Sequence, residues 1–173
     1  MITREQEEWL SHLSDTGSVK IVPFDPKSDQ KFENIKRQIQ SLLGNETEVL
    51  HRGASALGIS GQPEIDIYIP VSAKRFDHVV SEMQIKFGKP YSVYPLERTK
   101  FILSVDGTKL EIMVVNESCK SWTNNEIFYE YMKKHPDALE QYRKLKEDAA
   151  GHSNRAYYRR KIEFINDIMS RAK

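Results

Sequence analysis

The sequence predicts an α+β fold, with a mixed β-sheet flanked by helices and a helical last third. Three observations carry this. From Glu64 to Val71, the polar or aromatic residues Glu64, Asp66 and Tyr68 alternate with Ile65, Ile67 and Ile69. That is the period of a strand with one apolar face. Lys100 to Val105 and Lys109 to Val115 are strand-like runs joined by Asp106-Gly107, a strong hairpin signal. After Trp122 the pattern turns helical and stays so.

In chain order, Thr3 and Gln6 form a capping-box pattern ahead of a helix from Arg4 to Leu13. Val19 to Phe24 reads as a short extended piece ending at Asp25-Pro26. Ser28 or Asp29 is expected to cap a helix whose Phe32, Ile35, Ile39, Leu42 and Leu43 share one face, with Gly44 ending it. A strand is expected from Glu48 to Arg52, then a glycine-rich segment from Gly53 to Gly61, then the acidic strand. Ala73 to Lys86 is helical with Phe76, Val79, Val80 and Met83 inward, and Tyr91 to Tyr94 is a strand. Thr123 with Glu126 suggests a second capping box. Pro136 opens a helix that runs to Ala150 before Gly151, and the last helix runs from Asn154 to Ala172. The expected organisation is a helical extension (1–18) and one domain (19–173), with a sheet core over about 19–118 and a helical cap over about 122–173.

Composition narrows the function classes. With 39% hydrophobic and 29% charged residues, the 173-residue chain has enough apolar material for a core. Net charge is +1, so no global field favours nucleic acid or an anionic membrane. The single cysteine, Cys119, forms no internal disulfide, excludes a multi-cysteine zinc site, and reads as an ordinary thiol. The N-terminal MITREQEEWL lacks the pattern of a signal peptide, and no apolar run is long enough to span a membrane. A cytoplasmic protein is expected.

The acidic strand is the centre of the functional reading. Glu64 and Asp66 project from one face, about 6.6 Å apart along the strand. Two like charges so placed repel. Either the face is simply solvated, or a shared divalent cation offsets the repulsion. Three features favour the cation. The small residues Gly53, Ala54 and Ser55 precede the strand and let backbone N–H groups and a hydroxyl approach a phosphate. Nine residues, Ser55 to Pro63, separate the Gly53-Ala54 pair from Glu64. A later strand sets Glu111 among Leu110, Ile112 and Val114. Three carboxylates on neighbouring strands suit a pair of Mg²⁺ ions, or Mn²⁺.

Gly53-Ala54, a nine-residue gap and Glu64-Ile65-Asp66-Ile67 resemble the pattern of the DNA polymerase beta-type nucleotidyltransferase superfamily. The third acid of that pattern, from a later strand, is matched by Glu111. A longer stretch resembles the GrpB family, which has a nucleotidyltransferase-like fold. In HRGASALGISGQPEIDI the resemblance rests on His51, Gly53, Ala56, Pro63, Ile65 and Asp66. Val22 to Pro26, Tyr131 to Pro136, Tyr142 with Lys146 and Tyr157 with Lys161 extend it over about residues 19 to 168. The chain departs from the family pattern at Ala54 (serine there), Gln62 (lysine there) and Leu57-Gly58 (no proline). Glu64 and Glu111 are acidic where family members often are not.

Other residues carry two readings each. His51 and Arg52 either meet a phosphate or serve as structural partners. Tyr142 with Lys146, and Tyr157 with Lys161, share helix faces. Tyr157, Lys146 and Lys161 either line a cleft, stacking on a base and meeting phosphate, or pack as amphipathic side chains. The basic run Arg155 to Lys161 gives nucleic acid a weakly supported place among the partners. His135 and His152 have no partner at ligand spacing and read as structural.

Two functions follow. The first is Mg²⁺-dependent nucleotidyl transfer from an NTP to an unknown acceptor. Glu64, Asp66 and Glu111 would form the catalytic metal site, and Gly53, Ala54, Ser55, Arg52, His51, Tyr157, Lys161 and Lys146 would bind the nucleotide or another phosphorylated small molecule. The second is a non-catalytic ligand-binding or regulatory protein on the same fold, favoured by the altered loop at Ala54 and Gln62.

Overall fold

The structure, a computed structural model, describes residues 1–172. Helix α1 (Arg4–Ser11) starts under a true capping box: Gln6 N–H donates to Thr3 Oγ1 and Thr3 N–H donates to the Gln6 side chain. The extended piece after it makes one bridge, Val22 to Gly61. Helix α2 (Ser28–Leu43) follows, then strand β1 (Leu50–Arg52) and the short helix α3 (Gly53–Ala56). Next come β2 (Glu64–Val71), α4 (Ala73–Phe87), β3 (Ser92–Tyr94), β4 (Arg98–Val105) and β5 (Thr108–Asn116). Helices α5 (Lys120–Lys134), α6 (Pro136–Asp148) and α7 (Asn154–Arg171) complete the chain.

Two start signals are corrected. Neither Ser28 nor Asp29 caps α2: the N-cap is Lys27, and the buried Ser28 hydroxyl has no hydrogen-bond partner. Asp25 instead holds the entry turn by accepting from Lys27 N–H at 2.9 Å. Thr123 caps nothing either, because α5 already runs from Lys120; its hydroxyl donates back to the Cys119 carbonyl.

The chain forms two compact units. One holds Asp25–Gly58 and Glu64–Thr123. Its five strands are ordered β1-β2-β5-β4-β3, with β2 and β5 parallel and every other pairing antiparallel. Asp106 and Gly107 both have positive φ, which is the backbone a two-residue hairpin needs. One sheet face, carrying Ile65, Ile67, Ile69, Leu110, Ile112 and Val114, packs on Phe32, Ile35 and Ile39 of α2 and Phe76, Val79 and Met83 of α4. Fully burying side chains of this kind contributes about 1.5–3 kcal/mol each. This face fixes the strand register, since a slip by one residue would turn the isoleucines outward and the acids inward.

The other unit holds Met1–Phe24, Ile59–Pro63 and the helical residues from Asn124 onward. Val19, Ala149 and Tyr157 form its buried cluster, with Ile21, Leu145 and Tyr158 against it. Helix α1 is fastened to α7 by Arg155, which donates to the carbonyls of Leu10, Ser11 and Leu13 and pairs with Asp15. Arg159 forms a fork with Glu7 at 2.6 and 2.7 Å. The residues read as a helical extension thus belong to this helical unit. Two charges of the Arg155–Lys161 run are spent on internal pairs rather than on an open basic face.

Candidate functional site

The register of the sheet builds the site. Parallel pairing sets Asp66 opposite Glu111 and Glu64 opposite Lys109. Because side chains alternate, the residues at 64, 66, 109 and 111 all rise from the face opposite the isoleucine core. Glu64, Asp66 and Glu111 each offer a carboxylate oxygen within 4.8 Å of the others. All three are half-buried. Three hard oxygen donors so grouped suit a divalent cation such as Mg²⁺ or Mn²⁺.

Two lysines also serve this cluster, and neither was among the residues singled out from the sequence. Lys109 Nζ donates to Glu64 Oε2 at 2.9 Å and to Glu111 Oε1 at 2.5 Å. Lys100 Nζ, from β4, donates to Glu111 Oε2 at 2.7 Å. Burial opposes the charge on Lys109, but its bonds to Glu111 and Glu64 outweigh this and hold the ammonium above its usual range. Burial likewise raises the Glu111 carboxyl, and bonds from Lys100 and Lys109 outweigh it, holding Glu111 below 4.5. A depressed carboxyl contributes stability that is present above about pH 4.5 and lost as pH falls through the folded-state value. The stability gap between wild type and Glu111→Gln, from urea unfolding, should therefore shrink as pH drops below about 4.5. A gap that stays constant down to about pH 3 would contradict this account of Glu111.

Gly53 brings the backbone against the cluster. Its φ is +75°, and a Cβ built there would lie 1.9 Å from Asp66 Oδ2. Only glycine allows both the turn and the approach. Arg52, on the antiparallel partner strand, is opposite Asp66 in register. It is buried, donates to the His51 carbonyl at 3.0 Å, and lies over the Trp122 ring at 5.8 Å.

Residues 18–171 match the family described as GrpB protein. The chain belongs to the GrpB family. Among solved structures it is similar to the conserved protein GrpB from Enterococcus faecalis, with a TM-score of 0.72 and 17% identity, covering 88% of this chain and 96% of that one. This GrpB-family chain also shows a fainter likeness to two polymerases, both at 10% identity. Leishmania infantum polymerase beta, in a ternary gap complex, gives a TM-score of 0.42 over 66% of this chain and 47% of that one. The Cid1 poly(U) polymerase gives 0.45 over 77% and 41%. Among curated proteins, none matches the sequence.

The remaining expected site residues of the GrpB-family chain are distributed elsewhere. His51 pairs with Ile67 in register, so it faces the helix-covered side of the sheet, away from Arg52. Its ring stacks on Phe32 at 4.8 Å. Ser55 turns its hydroxyl to His51 Nε2 at 2.9 Å. Ala54 sits between Gly53 and Ser55 in α3 with no side-chain donor to offer. Lys146 and Tyr157 lie in the helical unit, both buried, joined Nζ to OH at 3.1 Å. Lys146 also sits 4.8 Å above the Tyr142 ring, and Lys161 5.4 Å from Tyr158. Lys109 was legible in principle: it is two residues before Glu111 and so on the same strand face. Among the described residues, no helix is long and apolar enough to cross a membrane.

Proposed function

We propose that this protein is a Mg²⁺-dependent nucleotidyltransferase of the GrpB family, moving a nucleotidyl group from an NTP to an acceptor in the cytoplasm. The observation that carries the reading is the convergence of Glu64, Asp66 and Glu111 from two paired strands. These three would hold the metal, with Mn²⁺ as the alternative ion. When bound, the ion would polarise phosphoryl oxygens and neutralise developing charge. The chain's own residues supply the rest. Gly53 lets backbone and ligand approach closely beside Asp66. Glu111 is proposed to take the acceptor hydroxyl proton once a ligand draws Lys100 and Lys109 away and relieves the lowering they impose. Arg52 adds a fixed cation next to the cluster. Lys109, with its side chain 42% exposed, has room to turn from the carboxylates toward a bound phosphate. Within the helical unit Tyr157 and Lys146 are buried on each other and serve packing, Lys161 is proposed as a separate contact for a phosphorylated ligand, and nucleic acid stays a weaker candidate partner.

Isothermal titration of an NTP with and without Mg²⁺ tests this. Binding should need the metal and should weaken at least about 10-fold in Glu64→Gln and in Asp66→Asn, a loss of about 1.4 kcal/mol. Binding that is indifferent to metal and to both substitutions would sink the proposal.

One observation favours a second reading, a non-catalytic ligand-binding or regulatory protein. Lys100 and Lys109 already balance much of the carboxylate charge, so the cluster is stable as an ion-pair network without a metal. Stable ligand binding with no turnover is then expected, and transfer of labelled nucleotide to any acceptor would reject it.

A further inference from the structure

Beside β1, on the other side of the strand from the acidic cluster, three side chains form a second constellation. Ser55 Oγ is 2.9 Å from His51 Nε2. His51 Nδ1 is 3.1 Å from Asp29 Oδ1. Three elements supply them: α2 gives Asp29, β1 gives His51, and α3, entered through the left-handed turn at Gly53, gives Ser55. The ring is held flat on Phe32, 13° from parallel, and its side chain is only 10% exposed. Hydroxyl, imidazole and carboxylate in this order and at these distances are the parts of an activated nucleophile: the Asp29 carboxylate, 76% exposed, favours a proton on Nδ1, and Nε2 in that tautomer accepts the hydroxyl proton.

We propose that Ser55 is a nucleophile activated by His51 and oriented through Asp29, and that it accepts a small acyl group from a carboxylic ester. The class of electrophile follows from the constellation. Asp66 Oδ2 lies against Gly53, two residues before Ser55, and buried Arg52 is opposite Asp66 in register, so the charge near the hydroxyl is mixed and selects no anion. Hydroxyl, imidazole and carboxylate in series are the arrangement that transfers acyl groups, which points to a carboxylic ester. The half-buried hydroxyl beside a nearly buried ring limits the acyl group to a small one.

The step balances without a co-reactant. Ser55 Oγ bonds to the carbonyl carbon while its proton passes to His51 Nε2. The tetrahedral adduct collapses, the C–O bond to the alkoxide breaks, and that alkoxide takes the proton back from His51. Water, deprotonated by the same nitrogen, then cleaves the acyl-serine, so ester and water give acid and alcohol. Burial holds His51 below its usual value of 6.5 against the opposing pull of Asp29, which keeps the base neutral at physiological pH. The charged groups acting on the ring are Asp29, Arg52 and Glu33.

The test uses the full chain with chelator present and no nucleotide, so it is separate from the test of the metal site. Quenched in acid within the first turnover, before water can cleave the acyl-serine, the protein treated with 4-nitrophenyl acetate should carry one acetyl group, at Ser55, by peptide mapping. The rate should rise with pH through one deprotonation below the usual histidine value. Ser55→Ala should abolish the label, and His51→Gln should slow it by about 10²-fold or more. Ser55→Cys should restore labelling at the same position, which shows that the fold survives substitution there. Asp29→Asn, at a positioning residue, should shift the pH profile and slow the reaction less than His51→Gln. Label on a lysine, an unchanged rate in Ser55→Ala, or absence of labelling in wild type and Ser55→Cys alike would overturn the proposal.

Discussion

Gly53→Ala is expected to cost at least about 3 kcal/mol of folding free energy and to disrupt the acidic cluster. Two effects add. A residue with a Cβ at φ +75° is strained by about 1–3 kcal/mol. The new methyl would also sit 1.9 Å from Asp66 Oδ2 and 2.8 Å from its Cγ, so the carboxylate must turn away. Asp66 is placed by the β1–β2 and β2–β5 registers on both sides, and its backbone cannot follow. Against a typical total of about 5–15 kcal/mol, such a loss shows clearly in urea unfolding. The two parts separate in a double-mutant cycle. Asp66→Ala in the Gly53→Ala background removes the two closest contacts but leaves the Cβ at 3.1 Å and the backbone strain, so it should recover part of the loss. A Gly53→Ala protein within about 0.5 kcal/mol of wild type, the range of ordinary surface substitutions, would refute this view of the turn.

Much of the fold was legible because its signals are local. β2 announces itself by alternation, and the β4–β5 hairpin by Asp106-Gly107. Helix α1 does so by Thr3 and Gln6, where both reciprocal bonds form. Convergence of Glu64, Asp66 and Glu111 was also expected, since strand parity alone puts each acid on a face opposite its apolar neighbours. What was missed depends on distant residues. Helix α3 has four residues, far below the length at which a helix is stable by itself, so Gly53 to Gly61 reads as a loop. The hydrogen bonds of His51 to Asp29 and Ser55 require α2 to lie beside β1, which no spacing in the sequence states. Arg155 reads as part of a basic patch until its acceptors, the carbonyls of Leu10, Ser11 and Leu13, are known. The start of α2 escaped for a subtler reason. Ser28 and Asp29 are good capping residues, but Asp25 makes the earlier turn and draws both into the helix.

Lys109→Met should make the protein less stable without metal and more responsive to it. Lys109 holds Glu64 and Glu111 together; methionine keeps the length and apolar stem but removes the charge. Two carboxylates are then left facing one another with Asp66 alongside, and Lys100 is the ammonium still paired with Glu111 among the described residues. Hydrogen bonds to charged groups contribute about 1.5–3 kcal/mol when shielded. Because Lys109 is 42% exposed, solvent screening reduces the expected loss to about 1 kcal/mol. The same change removes the cation that competes for the carboxylates, so divalent affinity should rise about 10-fold, or about 1.4 kcal/mol. Metal that binds only the folded state stabilises it by RT ln(1 + L/Kd), where L is the free metal concentration, so the melting temperature rises further, at a given metal concentration, for the tighter site. Thermal melts across a Mn²⁺ titration should therefore show a lower starting point and a larger rise for Lys109→Met than for wild type. Equal rises in both proteins would mean that Lys109 does not guard a cation site, and no rise in either would mean that Glu64 and Glu111 serve as partners for Lys100 and Lys109 without a metal.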